Sequence, residues 1–259
     1  MDTTTGLGRG AAVEREREGP GRCAIVGAGR LGTALAEALR AAGVTVDGPF
    51  GRGATPEAAD VVLLCVPDAE IASAARALPP RPGLLVGHCS GATGLDVLDP
   101  HEGFSLHPLM TVPREGAVLA GAGCAVAGAT PRALAAAESL AGALGMVSAR
   151  IDDADRAAYH AAASIASNFL VTLEAAAERL AAGAGAPREL LVPLVRATVE
   201  NWAAHGPERA LTGPIARGDE ATVARQREAV ADRADDLLPL FDALAEATRD
   251  LAASAGASR

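Results

Sequence analysis

The sequence predicts an α/β chain in which a mostly parallel sheet domain is followed by an all-α C-terminal domain. Three observations carry this. Short apolar runs rich in strand formers alternate with helical patches through roughly the first 150 residues. A glycine-rich turn stands between the first such run and the first helix. From Asp152 onward the spacing is helical, with no strong strand signal.

The elements follow in order. Residues 1–20 carry Glu14-Arg15-Glu16-Arg17-Glu18 where a signal peptide would need an apolar stretch, so they read as a mobile tail. Residues 21–150 form the sheet domain. Its strands are expected at Arg22–Val26, Val44–Val46, Asp60–Val66 and Leu84–His88, with shorter ones at Phe104–Leu106, Cys124–Val126 and Met146–Ala149. The continuous apolar run from Val61 to Val66 suits a strand buried on both faces. Helical patches lie at Arg30–Ala42, ended by Gly43, and at Ala69–Ala77, Gly94–Leu98 and Pro131–Leu144. Residues 151–255 form the helical domain, with helices over Asp155–Ala182, Pro187–His205, Glu220–Asp235 and Leu237–Ala253.

The turn reads Gly27-Ala28-Gly29-Arg30-Leu31-Gly32. Directly after a strand and opening a helix, this is the phosphate turn of a Rossmann-type domain. The first glycine permits the tight turn, the second lets the backbone approach a pyrophosphate, and the third lets helix and strand pack closely. The helix N-terminus adds N–H donors and a positive dipole end. A tight strand-to-helix turn that binds nothing is the plainer alternative. The choice of cofactor rests on the end of the second strand. Asp47 lies where an acidic residue would hold the ribose hydroxyls of NAD, and Gly51-Arg52-Gly53 follows, where Arg52 can hold a 2′-phosphate. The reading favours NADP, with NAD possible.

Composition narrows the class. A formal net charge of −9 argues against nucleic acid as a partner. No charge-free apolar run is long enough to span a membrane. All 23 basic residues are arginine, so no lysine chemistry is available. Cys23, Cys65, Cys89 and Cys124 lack the spacing of a zinc site or disulfide framework, so no metal is expected and a cytoplasmic protein fits.

Four strings carry a resemblance: Leu64-Cys65-Val66-Pro67-Asp68, Gly87-His88-Cys89-Ser90-Gly91-Ala92, Ser105-Leu106-His107-Pro108-Leu109, and the helical stretch from Tyr159 to Asn168. Together they resemble a family of oxidoreductases described only by a Rossmann-like domain and a helical domain of unknown function (DUF2520). That family is similar to 6-phosphogluconate, β-hydroxyacid and prephenate dehydrogenases and pyrroline-5-carboxylate reductase. The resemblance implies that Val66, Pro67 and Asp68 flank the nicotinamide, that the substrate lies in a cleft between the domains, and that the helical domain forms a homodimer.

The candidate chemical residues lie at strand ends and on one helix. His160, Ser164 and Asn168 share a helix face at spacing i, i+4, i+8, with Ser167 beside them. They can line a cleft or bond helix to helix. β-Hydroxyacid dehydrogenases carry a lysine where Ser164 falls and an asparagine matching Asn168, so their lysine-based proton transfer is excluded. The resemblance to prephenate dehydrogenases places a histidine near His160 and a His-Pro at His107-Pro108. A histidine can exchange protons near neutral pH. Ser90-Gly91 can offer a hydroxyl and a backbone N–H to the nicotinamide or substrate, or Ser90 can serve only as a helix cap or turn residue. The resemblance to pyrroline-5-carboxylate reductases implies a substrate-reaching loop around Gly213-Pro214, in which Arg217 can hold a carboxylate. His101 and His205 read as surface residues.

These observations predict an NAD(P)-dependent oxidoreductase acting on a small, anionic molecule, with His107 or His160 handling the proton and Ser164 and Asn168 orienting the substrate. The competing expectation is a non-catalytic dinucleotide-binding or redox-responsive protein, and a deazaflavin is a further cofactor option.

Overall fold

The computed structural model describes residues 21–113 and 117–257; the tail expected over residues 1–20 lies outside the described residues. The contact pattern divides the chain into a unit extending to Ala163 and a unit beginning at Ser164.

The first unit is built on one seven-stranded sheet. Its strands are β1 (Cys23–Val26), β2 (Val46–Phe50), β3 (Val61–Leu64), β4 (Leu85–His88), β5 (Glu102–Leu109), β6 (Gly123–Gly128) and β7 (Val147–Arg150). Their spatial order is β2-β1-β3-β4-β5-β6-β7. All neighbours are parallel except β5 and β6, which pair antiparallel. The expected mostly parallel sheet is therefore observed. The apolar residues of each central strand alternate between two cores, as a period of two requires. Cys23, Ile25, Val61 and Leu63 meet Leu35, Leu39 and Leu140 on one face, while Ala24, Val26, Val62 and Leu64 meet Ile71 and Ala75 on the other. Helices α1 (Arg30–Ala41) and α3 (Pro131–Ala143) cover the first face and α2 (Asp68–Ala77) covers the second. Each fully buried leucine, isoleucine or phenylalanine contributes roughly 1.5–3 kcal/mol.

Several boundaries differ from those expected. The second strand starts at Val46 rather than Val44, because Gly43 and Val44 close the end of α1 through hydrogen bonds to Arg40 and Leu39. β5 and β6 are longer than their apolar cores, since antiparallel pairing continues through Pro108↔Cys124 and Leu109↔Gly123. The helix expected at Gly94–Leu98 shrinks to a 3₁₀ turn at Asp96–Leu98.

The expected domain change at residue 151 coincides with the end of β7, yet the first unit continues through helix α4 (Arg156–Ser164) to Ala163. The reason is tethering: Arg156 donates to Ser105 on β5 at 2.6 Å, and Tyr159 shares a hydrogen bond with His107 on the same strand.

The second unit is helical, as expected. A π-helical turn (Ile165–Phe169) precedes α5 (Leu170–Gly183), so the long helix expected over Asp155–Ala182 is not uniformly α. Then follow α6 (Leu191–His205), the short α7 (Pro207–Ala210), α8 (Glu220–Arg233) and α9 (Leu238–Ala257). Asp219 caps α8 by accepting from the Thr222 N–H, which the sequence anticipates. α8 packs on α9, and ion pairs Arg227–Asp242 and Arg249–Glu220 join them. Among the described residues, no helix is long and apolar enough to cross a membrane.

Candidate cofactor and proton-transfer site

The chain leaves β1, turns through the glycines into α1 and returns to β2 on one side; β3 then lies on the other side of β1. This reversal opens a crevice at the carboxyl ends of β1 and β3, the place where open α/β sheets bind ligands. The glycines divide their work there. Gly27 has φ +117°, and a Cβ on it would meet the Cys65 carbonyl oxygen at 2.2 Å. A Cβ on Gly32 would lie 1.9 Å from the Gly27 carbonyl oxygen. Both are demanded by packing. Gly29 differs: a Cβ there would meet nothing within 4 Å, because it faces open space. It is also the N-cap of α1 and supplies no side chain to satisfy the first-turn N–H groups, which belong to Arg30, Leu31 and Gly32. The vacant side of Gly29 and the uncapped N-terminus fit a pyrophosphate.

Two cavities meet at this turn. One of about 720 Å³ is walled by Gly29, Leu31, Val66, Pro67, Asp68 and Cys89, among others. The other, of about 340 Å³, is walled by Gly27, Gly29, Arg52, Val66 and Glu70, among others. The predicted residues Gly27, Gly29, Arg30, Leu31, Arg52, Val66, Pro67 and Asp68 all line one or both. Arg30 also reaches over to the Val112 carbonyl at 3.1 Å, so the segment Thr111–Pro113 forms a further wall.

The two candidates for ribose recognition separate clearly. Asp47 pairs across the sheet with Ala24, early in β2, and its carboxylate accepts from the Arg22 guanidinium at 2.5 and 2.9 Å. That guanidinium holds the Asp47 pKa below its ordinary value. Arg52 instead follows the carboxyl end of β2, in the smaller cavity, where it is 84 % exposed and pairs with Glu70 at 2.7 Å.

Ser90 is a turn residue behind the cavity rather than part of its wall. Its hydroxyl donates to Asp68 at 2.7 Å and accepts from the Thr93 N–H at 3.0 Å. It thereby holds the carboxylate that does face the cavity. His88 is fully buried: its Nδ1 accepts from the Ser90 N–H and its Nε2 donates to the Gly94 carbonyl. Burial pushes its pKa down to about 4. His101, expected at the surface, is buried with its ring bonded to the Ala75 carbonyl. His205 is exposed, as expected, and Arg217 is exposed in the loop before α8.

The structure brings His107 and His160 together, with ring centroids 6.4 Å apart. His107 sits two residues beyond the parallel pairing of β4 and β5, which ends at His88↔Ser105. Its Nδ1 and the Tyr159 hydroxyl are 2.8 Å apart, and the two rings meet edge to face. A Cβ on Gly91 would lie 2.7 Å from the His107 ring, so Gly91 makes the room in which that ring rests. Burial, and then the neighbouring His160, lower the His107 pKa. Arg156, only 4 % exposed, stands nearby on Ser105 and Asp153 and pushes in the same direction. Ser164 and Asn168 fall in the second unit, Asn168 within the π turn.

Sequence reasoning assigned no role to Tyr159 or Arg156, and did not foresee Gly91 as the space beneath the His107 ring. Tyr159 is the chain's single tyrosine and stands beside His160, a signal that was available. Arg156 and Gly91 act through contacts distant in sequence and left no such signal.

No curated protein sequence matches the chain. Among solved structures, TM1727 from Thermotoga maritima is similar at 26% identity and TM-score 0.75, over 90% of this chain and 98% of that one. BF3122 from Bacteroides fragilis, whose name carries a provisional NADP oxidoreductase assignment, is similar at 20% identity and TM-score 0.72, over 89% and 98%. A reductive aminase from Aspergillus terreus, solved with NADPH, is similar at 18% identity and TM-score 0.63, over 92% and 99%. Residues 52–113 match the family model of a Rossmann-like domain, and residues 122–248 match DUF2520, a domain of unknown function. The chain is therefore a Rossmann-like plus DUF2520 protein, the family that its sequence strings resemble.

Proposed function

We propose that the chain is an NADP-dependent oxidoreductase, with NAD as the weaker cofactor, acting on a small, anionic substrate. The observation that carries the reading is the crevice at the β1/β3 reversal. There Gly29 leaves space at an uncapped helix start, and Arg52 follows the end of β2 while Asp47 is engaged by Arg22. The similar proteins named for NADP or solved with NADPH support it.

In this reading Gly29, Arg30, Leu31 and Gly32 hold the pyrophosphate through main-chain N–H groups, while Gly27, whose N–H is donated to the Phe50 carbonyl at 2.8 Å, shapes the turn. Arg52 exchanges Glu70 for the 2′-phosphate, a charge-assisted bond in either state. Val66, Pro67 and Asp68 flank the nicotinamide half, with Ser90 fixing Asp68. The bound nicotinamide supplies hydride exchange with a substrate carbon. His107 handles the proton at the substrate oxygen or nitrogen, and its lowered pKa keeps the ring neutral near pH 7. The Tyr159 hydroxyl, 2.8 Å from Nδ1, fixes the orientation and tautomer of the ring, so that Nε2 is the nitrogen that exchanges the proton with the substrate. Ser164 and Asn168, spaced i+4 and i+8 from His160, are proposed to orient the substrate. The helical unit is proposed to pair with a second copy, because Phe169, Val171, Leu194 and Trp202 are large, apolar and exposed.

Thermal shift with NADP, NAD and deazaflavin, followed by NADPH oxidation on a carbonyl and imine panel, tests the reading. Arg52→Ala should weaken NADP binding by about 1.5–3 kcal/mol, the loss of a hydrogen bond to a charged group, and leave NAD binding unchanged. Tyr159→Phe and His107→Asn should each lower kcat more than they raise KM. Equal loss for both dinucleotides would defeat the NADP assignment. Unaltered turnover in both site variants would remove His107 and Tyr159 from the chemistry, whereas NADP binding with no turnover across the panel would leave a binding protein rather than an enzyme.

A further inference from the structure

No step of the proposed reaction uses the thiols of Cys65 and Cys89. Each is the first residue beyond a strand, and the strands are parallel neighbours whose register ends at Leu64↔His88. Cys65 and Cys89 are thus the next facing pair. Their sulfurs lie 3.7 Å apart, and both residues line the cavity of about 720 Å³ beside Gly29. Adjacent strands run about 4.7–4.9 Å apart, inside the Cα separation of about 4.4–6.8 Å that a disulfide requires. Closing the pair therefore asks for side-chain rotation rather than backbone movement. The other two cysteines differ in placement, since Cys23 and Cys124 are buried within β1 and β6 and line neither cavity at the turn.

We propose that Cys65 and Cys89 are an oxidative modification site that closes to an intramolecular disulfide when a hydroperoxide enters the cofactor cavity. Cys65 is the more accessible thiol and is attacked first. Its thiolate displaces hydroxide from the peroxide, giving a sulfenic acid and, with a proton, one water. The Cys89 sulfur then displaces the sulfenic oxygen as a second water, forming the S–S bond. The two thiols lose two electrons and the peroxide gains them. The Cys89 thiol stays neutral until that step, because its contact with Cys65 and its burial raise its pKa. A partly buried thiol meets peroxide slowly, so closure belongs to sustained peroxide exposure. A strong thiol reductant reverses it.

The test is peptide mapping of the full-length reduced protein after hydrogen peroxide treatment. The proposal expects one disulfide joining the Cys65 and Cys89 peptides, removed by dithiothreitol. Cys65→Ser should leave Cys89 a free thiol, and Cys89→Ser should let Cys65 proceed to sulfinic acid. Sulfinic acid at Cys65 beside a free Cys89 in the unaltered protein, or Cys89 joined to Cys124, would overturn the proposal. A second arm rests on the dinucleotide reading, with NADP binding measured separately by thermal shift. At free NADP about tenfold above its Kd, closure should slow by about tenfold, because few sites remain open. Binding without protection would overturn the placement of the pair under the cofactor. Absence of binding would overturn the dinucleotide reading, while the mapped disulfide still decides the thiol proposal.

Discussion

In the first unit, β1, β3 and β4 have every residue buried, and helices close over both faces of the sheet. In the second, α5 and α6 contribute no buried residue, while Phe169, Val171, Leu194 and Trp202 stand more than half exposed. The same Ala- and Leu-rich composition thus yields a finished core in one unit and an unfinished surface in the other. The sheet unit specifies itself and carries the crevice. The exposed apolar residues of the helical unit are those that the proposed homodimer would cover.

Three changes probe that contrast, beginning with the largest effect. Gly32→Ala places a methyl 1.9 Å from the Gly27 carbonyl, backbone against backbone, so nothing flexible can yield. It should cost more than about 4 kcal/mol, at the upper end for single substitutions, read as a collapse of the thermal midpoint. A midpoint within a few degrees of the unaltered protein would show that the turn can relax.

The next effect is pH. Buried His88 has a pKa near 4 against an ordinary 6.5, so the unfolded chain binds its proton more readily between those values. Stability from this group is present above pH 6.5 and is lost as pH falls toward 4. The loss is about 3 kcal/mol across that window, because a difference of one in pKa between folded and unfolded chains is worth about 1.4 kcal/mol. Urea titrations at pH 7 and 4.5 should show it, and His88→Asn should flatten the difference. An unchanged slope in that variant would assign the acid sensitivity elsewhere.

The helical unit is probed by Leu194→Asp combined with Trp202→Asp, two exposed positions eight residues apart on α6. Charges there should raise the dimer dissociation constant by about 100-fold, from hot-spot losses of about 2 kcal/mol or more. Sedimentation would report monomers. A dimer that survives both charges would place the interface on another face.

Much of the fold was legible because the relevant signals are local. The run Val61–Leu64 announces a doubly buried strand, and the glycine turn announces its own strand and helix. Less of the site was legible. Asp47 stood at the expected distance for NAD, but its pairing with Arg22 arises only when β1 and β2 align. His101 looked like a polar surface residue until the Ala75 carbonyl satisfied it in the interior. The four cysteines carry no spacing signal, because Cys65 and Cys89 meet through strand register, not through proximity in sequence. Tyr159 belongs to the same class: it reaches β5 across 52 residues.

The central claim is that the vacant side of Gly29 belongs to a dinucleotide. Titration of NADPH into the unaltered protein and Gly29→Ala, followed by nicotinamide fluorescence, tests it most directly. A methyl there meets no protein atom within 4 Å, so the variant should keep its thermal midpoint. Its affinity for NADPH should nevertheless fall by about tenfold or more, roughly 1.4 kcal/mol. Equal affinity in both proteins, or no saturable binding to the unaltered one, would contradict the assignment of this crevice.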